Sequence, residues 1–352
     1  MKSILRLRLS IPQMEMKSLY DIALEIFLFL YYINIVRIAS LWSCTYCIRK
    51  IELLGLIYLG SIIFSVLLTR KEDAFFRMVV KIKIGFIGAG AVASALGKFF
   101  SDAGYEVLYK SKHSLSAQKL ADATGGLAFD CYTLFLKEAD MVWITVPDDA
   151  ISSVVQELSR YDLEGQHICH TSGVHSSEIL LPLTLKGALT FSCHPALPFS
   201  NSSKVINAMF TVEGDTDRIC ELLEVAGLRY LIIDSKDKVI YHAALCIASN
   251  FMVTLAAEAS NMLSGLGLTD EQISFVLFPL MEQNLQNMIS FGVKNALTGP
   301  VSRGDIGTVE KHLKALEGES ELYKILLDHT ARLAMETERI DKKTLKLFSK
   351  LT

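Results

Sequence analysis

The sequence predicts an α/β domain built on a parallel sheet, followed by an all-α helical domain, in a chain of 352 residues. Three observations carry that expectation. Between residues 80 and 233, short apolar runs alternate with helix-periodic ones, and the runs lack the polar alternation of a half-exposed strand; a sheet covered on both faces reads this way. Beyond Ser235 the strand-like runs stop and long helical patterns follow, which puts a domain boundary there. The first run also passes directly into Gly88, Gly90 and Ala93 and then into an apolar-periodic helix. The expected domains are 78–235 and 236–352, preceded by an apolar extension over 1–77.

Taken in order, strands are expected at 80–87 and 105–109, with a short one at 127–129 before a helix at 134–138. Residues 141–146 form a buried strand that Pro147 closes. Further strands are expected at 166–171, 188–193, 208–212 and 230–233, with a helix at 217–226 between the last two. Helices then fill 238–265, 269–293, 308–317 and 321–339. No internal repeat or low-complexity tract interrupts them.

The glycine turn is the most specific motif. A strand, Gly88-x-Gly90-x-x-Ala93, a helix and a second strand are the context that a Rossmann-type dinucleotide site requires. Gly88 permits the tight turn, Gly90 lets the backbone approach a pyrophosphate, and Ala93 keeps the helix near the sheet. Ala91 and Val92 open that helix, whose free N–H groups and dipole favour phosphate. Val146 and Pro147, at the end of a later strand, are further candidates for the cofactor site. After Tyr109 the chain reads Lys110, Ser111, Lys112, His113, without the acidic residue that usually holds the ribose of NAD. Two cations and a hydroxyl there favour NADP, with NAD still possible; the plainer alternative makes Lys110 and Lys112 ordinary surface lysines.

Composition narrows the setting. A net charge of −3 and a pI near 6.3, without a basic tract, argue against nucleic acid as the main partner. Seven scattered cysteines suit free thiols in a reducing compartment, so a cytoplasmic protein is expected. Cys44 and Cys47 form a CxxC without a second pair, so no metal is expected. The first 77 residues are of another character: 53–69 is uncharged and apolar, and 26–42 is a weaker run broken by Arg37. A membrane span needs about 17–25 residues, so the stronger run sits at the lower limit. Met78 stands immediately before the first strand, as a natural start would. The extension is therefore read as translated upstream sequence ahead of the true start, or as a membrane anchor, or as a packed helical extension. Membrane association is expected only if it is genuine.

Ligands in open parallel sheets bind beyond the carboxyl ends of the strands. Pro147, Asp148 and Asp149 follow one strand, His170 to Gly173 the next, and His194 with Pro195 the one after. Ser172 and His194 are the candidates nearest the reacting groups, against the plainer reading that these are loop residues and caps. At helical spacing, Lys238, His242, Cys246, Ser249 and Asn250 make a polar stripe on an otherwise apolar helix. Such a helix should be largely buried, with its stripe lining a cleft or an interface. His242 is the candidate proton donor, the alternative being a satisfied core histidine. In the segment 296–313, Gly299–Pro300 breaks one helix and Asp305 or Thr308 can cap the next. Arg303, Thr308 and His312 could together hold a carboxylate at that helix start.

These blocks resemble one family. WITVPDDAI (143–151), HTSGVHSSEIL (170–180), CHPALPF (193–199), YHAALCIASNF (241–251) and LTGPVSRGD (297–305) are similar, in order, to the Rossmann-like proteins with a C-terminal domain of unknown function 2520. The likeness covers nearly everything after Met78 and none of 1–77. The wider clan holds pyrroline-5-carboxylate reductase, deazaflavin-dependent NADP oxidoreductases and β-hydroxyacid dehydrogenases, and some members are similar to an alternative ketopantoate reductase. The resemblance implies NAD(P)H-dependent reduction of a small oxo acid or imine, 2-dehydropantoate being the leading substrate, in a homodimer. In that picture Ser172 and Asn250 position the reacting groups, His242 donates the proton, and Arg303 with His312 holds the carboxylate. One departure matters: β-hydroxyacid dehydrogenases set a Lys and an Asn one turn apart on the first interdomain helix. Here Lys238 and Asn250 are too far apart for that, with His242 between them. A different substrate on the same scaffold, or an NADP-binding sensor without catalysis, are the rival readings.

Overall fold

A computed structural model of the chain describes residues 82–199, 205–316 and 320–352. The extension over 1–77, with Cys44, Cys47, both apolar runs and the start expected at Met78, lies outside the described residues, as does the expected helix end at Glu317. The chain divides into two compact units, Met1–Lys83 and Ile84–Thr352, and the architecture below is that of the second, with the first strand entering from Lys83.

The sheet half follows a strict alternation: β1 (Lys83–Ile87), α1 (Ala91–Asp102), β2 (Glu106–Lys110), α2 (Ser114–Thr124), β3 (Leu127–Phe129), α3 (Tyr132–Glu138), β4 (Met141–Ile144), α4 (Asp148–Leu158), β5 (His167–His170). A 3-10 turn (Ser177–Leu180) and the short α5 (Leu181–Thr184) lead to β6 (Leu189–Ala196). Then come β7 (Met209–Gly214), α6 (Asp217–Val225) and β8 (Arg229–Ile232). Among the described residues the strands form one eight-stranded sheet in the order β3-β2-β1-β4-β5-β6-β7-β8. The change of direction at β1, with β2 on one side and β4 on the other, is the switch point where doubly wound sheets open a ligand crevice.

Both faces of the central strands are covered, which is why they read as continuous apolar runs, while the edge strands β3 and β8 leave Leu127, Leu231 and Ile232 exposed. Phe86, Tyr109 and Trp143 point to one side, where Phe86 stacks on Tyr109 at 5.7 Å and Phe100 of α1 meets Trp143 at 6.0 Å between ring centroids. Ile87, Val142, Ile144 and Ile168 point to the other, against Phe135, Ile151, Val155 and Leu158 of α3 and α4. Alternate residues of each strand thus serve separate cores. One departure from a parallel sheet is local: β7 runs antiparallel to β6, from Phe191 opposite Gly214 to Ala196 opposite Met209, and β8 is again parallel to β7. The described part of the β6–β7 connection holds only a 3-10 turn at Val205–Asn207. A parallel return would need a longer crossover element.

The helical half consists of α7 (Lys238–Ala248), α8 (Asn250–Gly265), α9 (Asp270–Phe291), α10 (Val293–Ala296), α11 (Ile306–Ala315), α12 (Glu321–Glu336) and α13 (Lys342–Phe348). Thr269 and Gln272 close a capping box on α9, while Asp305 and Asp341 cap α11 and α13. The single helix expected over 238–265 is instead two. The chain bends at Ser249 (φ −117°, ψ −74°), and Ser249–Asn250 is a pair of poor helix-interior residues. The expectation that this helix is buried also fails. Val239, Ile240, Ile247, Phe251 and Val253 are all more than half exposed, and among the described residues nothing covers that face. A separate small core (Val301, Val309, Leu327, Ala331, Ala334, Ile340, Phe348) holds α11–α13 together.

Candidate functional site

Because β1, β4, β5 and β6 run parallel, their carboxyl ends lie along one edge of the sheet. At the first of them Gly88 takes φ +110°, and a Cβ there would come within 2.8 Å of the Thr145 carbonyl. Only glycine meets both conditions without strain. The turn is tied on both sides: Gly88 N–H donates to the Lys110 carbonyl, Thr145 N–H to that of Ile87, and the Thr145 hydroxyl to Ile87 (3.1 Å). Gly90 is different. A Cβ there would meet nothing within 4 Å, and as N-cap of α1 it brings no side-chain acceptor to the first-turn N–H groups. The result is an open cradle beside unpaired donors at a helix start, with Ala91 and Val92 in its first turn and Ala93 buried against the sheet. That geometry fits the diphosphate of a dinucleotide. Val146 is half-buried and Pro147 exposed at the end of β4, on the same edge.

The cations after β2 are not equivalent. Lys110 is buried at 9% exposure, donates to the Ser111 carbonyl (2.8 Å) and holds its Nζ 5.0 Å from the centre of the Tyr132 ring. It is no ordinary surface lysine. Lys112 is exposed and Ser111 half-buried, just ahead of α2, whose N-cap His113 makes no side-chain cap bond.

Further along the edge a second cluster forms between the sheet and α7. His194 and His242 meet edge to face, ring centroids 5.9 Å apart, and Tyr241 contacts His194 in the same manner. The turn after β5 passes directly beneath: a Cβ on Gly173 would lie 2.3 Å from His242 Cδ2 and 3.0 Å from His194 Nε2. His194 Nδ1 is 3.4 Å from the Tyr241 hydroxyl, and His242 Nδ1 lies 3.9 Å from Cys246 Sγ. Burial, then the Lys238 ammonium and His242, push the His194 pKa down to about 4, so His194 is neutral near neutral pH.

Ser172 and His170 act as scaffold for this turn. The Ser172 hydroxyl accepts the N–H groups of Val174 (3.3 Å) and His175 (3.1 Å). His170 is fully buried; its Nδ1 accepts from Ser172 N–H, so Nε2 carries the proton and donates to the Ser176 carbonyl (3.1 Å). Burial lowers its pKa to about 4. His170 is the satisfied core histidine of the pair of strand ends, and His194 the one that faces α7.

The remaining sequence candidates make other contacts. Asn250 is exposed at the start of α8, past the bend, and its carbonyl accepts from Thr254. Thr308 gives both its N–H (3.0 Å) and its hydroxyl (2.7 Å) to the Asp305 carboxylate, which fills the start of α11 that a substrate carboxylate was expected to occupy. Those bonds hold the Asp305 carboxyl below its usual range. His312 pairs with the Tyr323 hydroxyl at 2.7 Å, and Arg303 is exposed. Sequence reasoning passed over Tyr241, Thr145 and Ser192. The first sits beside His242 in the chain and was legible there; the other two look like ordinary strand residues.

Residues 71–195 match the Rossmann-like domain family, and residues 208–330 match the domain of unknown function DUF2520. No curated protein matches the chain. Among solved structures, protein TM1727 from Thermotoga maritima is 29% identical, with a TM-score of 0.57 over 73% of this chain and all of that one. A Bacteroides fragilis protein provisionally described as an NADP oxidoreductase is 22% identical (TM-score 0.56; 74% of this chain, 98% of that one). An imine reductase from Pseudomonas sp. is 16% identical (TM-score 0.56; 78% of this chain, all of that one). At those last two identities the likeness is one of fold.

Proposed function

We propose that the chain is an NADPH-dependent reductase of a small carboxylated carbonyl compound, with 2-dehydropantoate as the leading substrate. The observation that carries this reading is His242 resting over the Gly173 turn beside a neutral His194, on the same sheet edge as the open Gly88–Gly90 cradle. The α1 start and Gly90 would hold a dinucleotide's diphosphate, and Ser111 with Lys112 would receive a 2′-phosphate. NAD remains the alternative cofactor. A bound nicotinamide supplies the hydride, and the protein supplies orientation and a proton. His242 turns Nδ1 toward Cys246, so Nε2 is the atom that gives a proton to the substrate heteroatom. His194, unprotonated, does not compete for that role. Arg303, exposed and outside the Asp305–Thr308 cap, is the remaining candidate to hold the carboxylate, His312 being paired with the Tyr323 hydroxyl.

A second reading has one observation in its favour: the similar folds include an imine reductase. The same acid serves a C=N bond as well as a C=O bond. The reading also includes a second copy of the chain against α7–α9, whose apolar side chains stand exposed, and a cytoplasmic enzyme. An NADPH-oxidation screen of the purified protein against 2-oxo acids, pyrroline-5-carboxylate and deazaflavin tests it. Turnover of an oxo acid supports the first reading, turnover of the cyclic imine the second, and cofactor binding without any turnover would leave a sensor.

A further inference from the structure

Lys238 begins α7 and is only 1% exposed, one of the largest fully buried side chains among the described residues. Such burial is costly for an ammonium unless polar partners surround it. Its partners are two oxygens of the sheet edge: Nζ donates to the Ser192 hydroxyl on β6 (2.6 Å) and to the Ser172 carbonyl just after β5 (3.3 Å). Among the described residues no carboxylate lies within ion-pair distance of it. The charged and titratable groups that face it come from four elements: Glu213 on β7, Asp148 on α4, Cys193 and His194 on β6, and His170 on β5. The Glu213 carboxylate is already committed, accepting from both the N–H and the hydroxyl of Ser177 at 2.7 Å.

A side chain buried to this degree does not reach a substrate. It does reach the backbone that carries Gly173, and it stands one helical turn before His242, on the same face of α7. We propose that Lys238 is a positioning residue, whose ammonium fastens the first turn of α7 to the ends of β5 and β6 and so sets His242 over the Gly173 turn. Burial is the main reason that His170 and His194 stay unprotonated, and the same charge adds to it beside the imidazole proposed to deliver the proton. The catalytic part of this inference rests on the proposed role of His242; the tether and the effect on the two histidines do not.

The test uses the full chain carrying Lys238→Met, which keeps the length of the stem and removes the charge and the donor. Lys238→Gln, shorter but polar, serves in its place if the methionine variant does not fold. Ring signals of His170 and His194 are followed by NMR through a pH titration, alongside the NADPH dissociation constant and kcat. The expected result is an upward shift of both histidine midpoints, an NADPH affinity within about twofold of the parent, and kcat lower by about tenfold or more, as misplacing an acid costs. Histidine midpoints identical to the parent's, or an unchanged kcat, would overturn the proposal. Shifted midpoints in a protein that turns over no oxo acid or imine would uphold the tether and count against the reductase reading instead.

Discussion

The sheet half and the helical half solve the problem of burying apolar side chains in opposite ways. In the sheet half Ile84, Phe86, Trp143, Ile168 and Phe191 are wholly enclosed by their own chain. In the helical half Phe275, Phe278 and Leu280 of α9 are 72%, 60% and 59% exposed, although they are as apolar as any strand residue. Exposed apolar area of that extent marks an interaction surface rather than a finished exterior. Among the described residues, the buried strands of the first half are covered by their own chain, whereas the long apolar face of the second stands open, and on the proposed reading a second copy covers it.

The division of labour between the halves is open to direct attack. The largest expected effect is chemical. His242→Ala should lower kcat by about 10²–10⁴-fold, the usual contribution of a general acid, with NADPH affinity nearly unchanged. A loss of cofactor binding in that variant would break the division, since the proposed Gly88–Gly90 cradle belongs to the sheet half alone.

Acid should strike the sheet half first. The pKa of buried His170 is about 4, below its ordinary 6.5, so the unfolded chain takes up the proton before the folded one does. Stability is therefore full above about pH 6.5 and falls as the pH drops toward 4, by about 3 kcal/mol for His170. Half-buried His194 adds a smaller amount in the same direction. Urea midpoints measured between pH 7 and 4 check this; a His170→Asn variant should lose part of the slope, and an unchanged slope would remove His170 as its cause.

The third effect concerns company. Phe275→Asp with Phe278→Asp should leave a lone chain almost unaltered, because exposed positions tolerate change within about 0.5 kcal/mol. If a second copy covers α9, the parent is a dimer by light scattering at micromolar concentration and the double variant a monomer. A monomeric parent with full activity would show that the open face of α9 needs no second copy.

The smallest effect is on cofactor choice. Lys112→Ala should weaken NADPH by about tenfold, the loss of one charge-assisted contact, and leave NADH untouched. Equal weakening of both would show that Lys112 reads something other than the 2′-phosphate.

Most of the fold was legible because strand and helix periods are properties of neighbouring residues. The third strand, Leu127–Phe129, stands where expected, and β1, β2 and β4 to β8 begin and end within three residues of their expected bounds. The Gly88 turn was legible because its conformation leaves no alternative residue. The pairing of His194 with His242 was not, since it joins β6 to α7 across nearly fifty residues, and only the sheet order brings them together. Nor could spacing show that Asp305 fills the α11 start, or that Ser249 bends the helix and carries Asn250 out to solvent. The direction of β7 was hidden for a similar reason: an apolar strand looks the same in either orientation.

That antiparallel strand bears on how such proteins can be recombined. The two family matches stop at residue 195 and resume at 208, so a cut between them looks natural on paper. In space the cut runs between β6 and β7, partners from Phe191–Gly214 to Ala196–Met209. Separating them would strip the ladder between the sixth and seventh strands of an eight-stranded sheet and bare two sticky edges. A chimaera that borrows a helical half from another protein would do better to join after β8, near Ser235, keeping all eight strands from one parent. The second match, from 208, takes in β7 and β8 along with the helices, yet both strands belong to the sheet, so the matched segments are not separate structural modules.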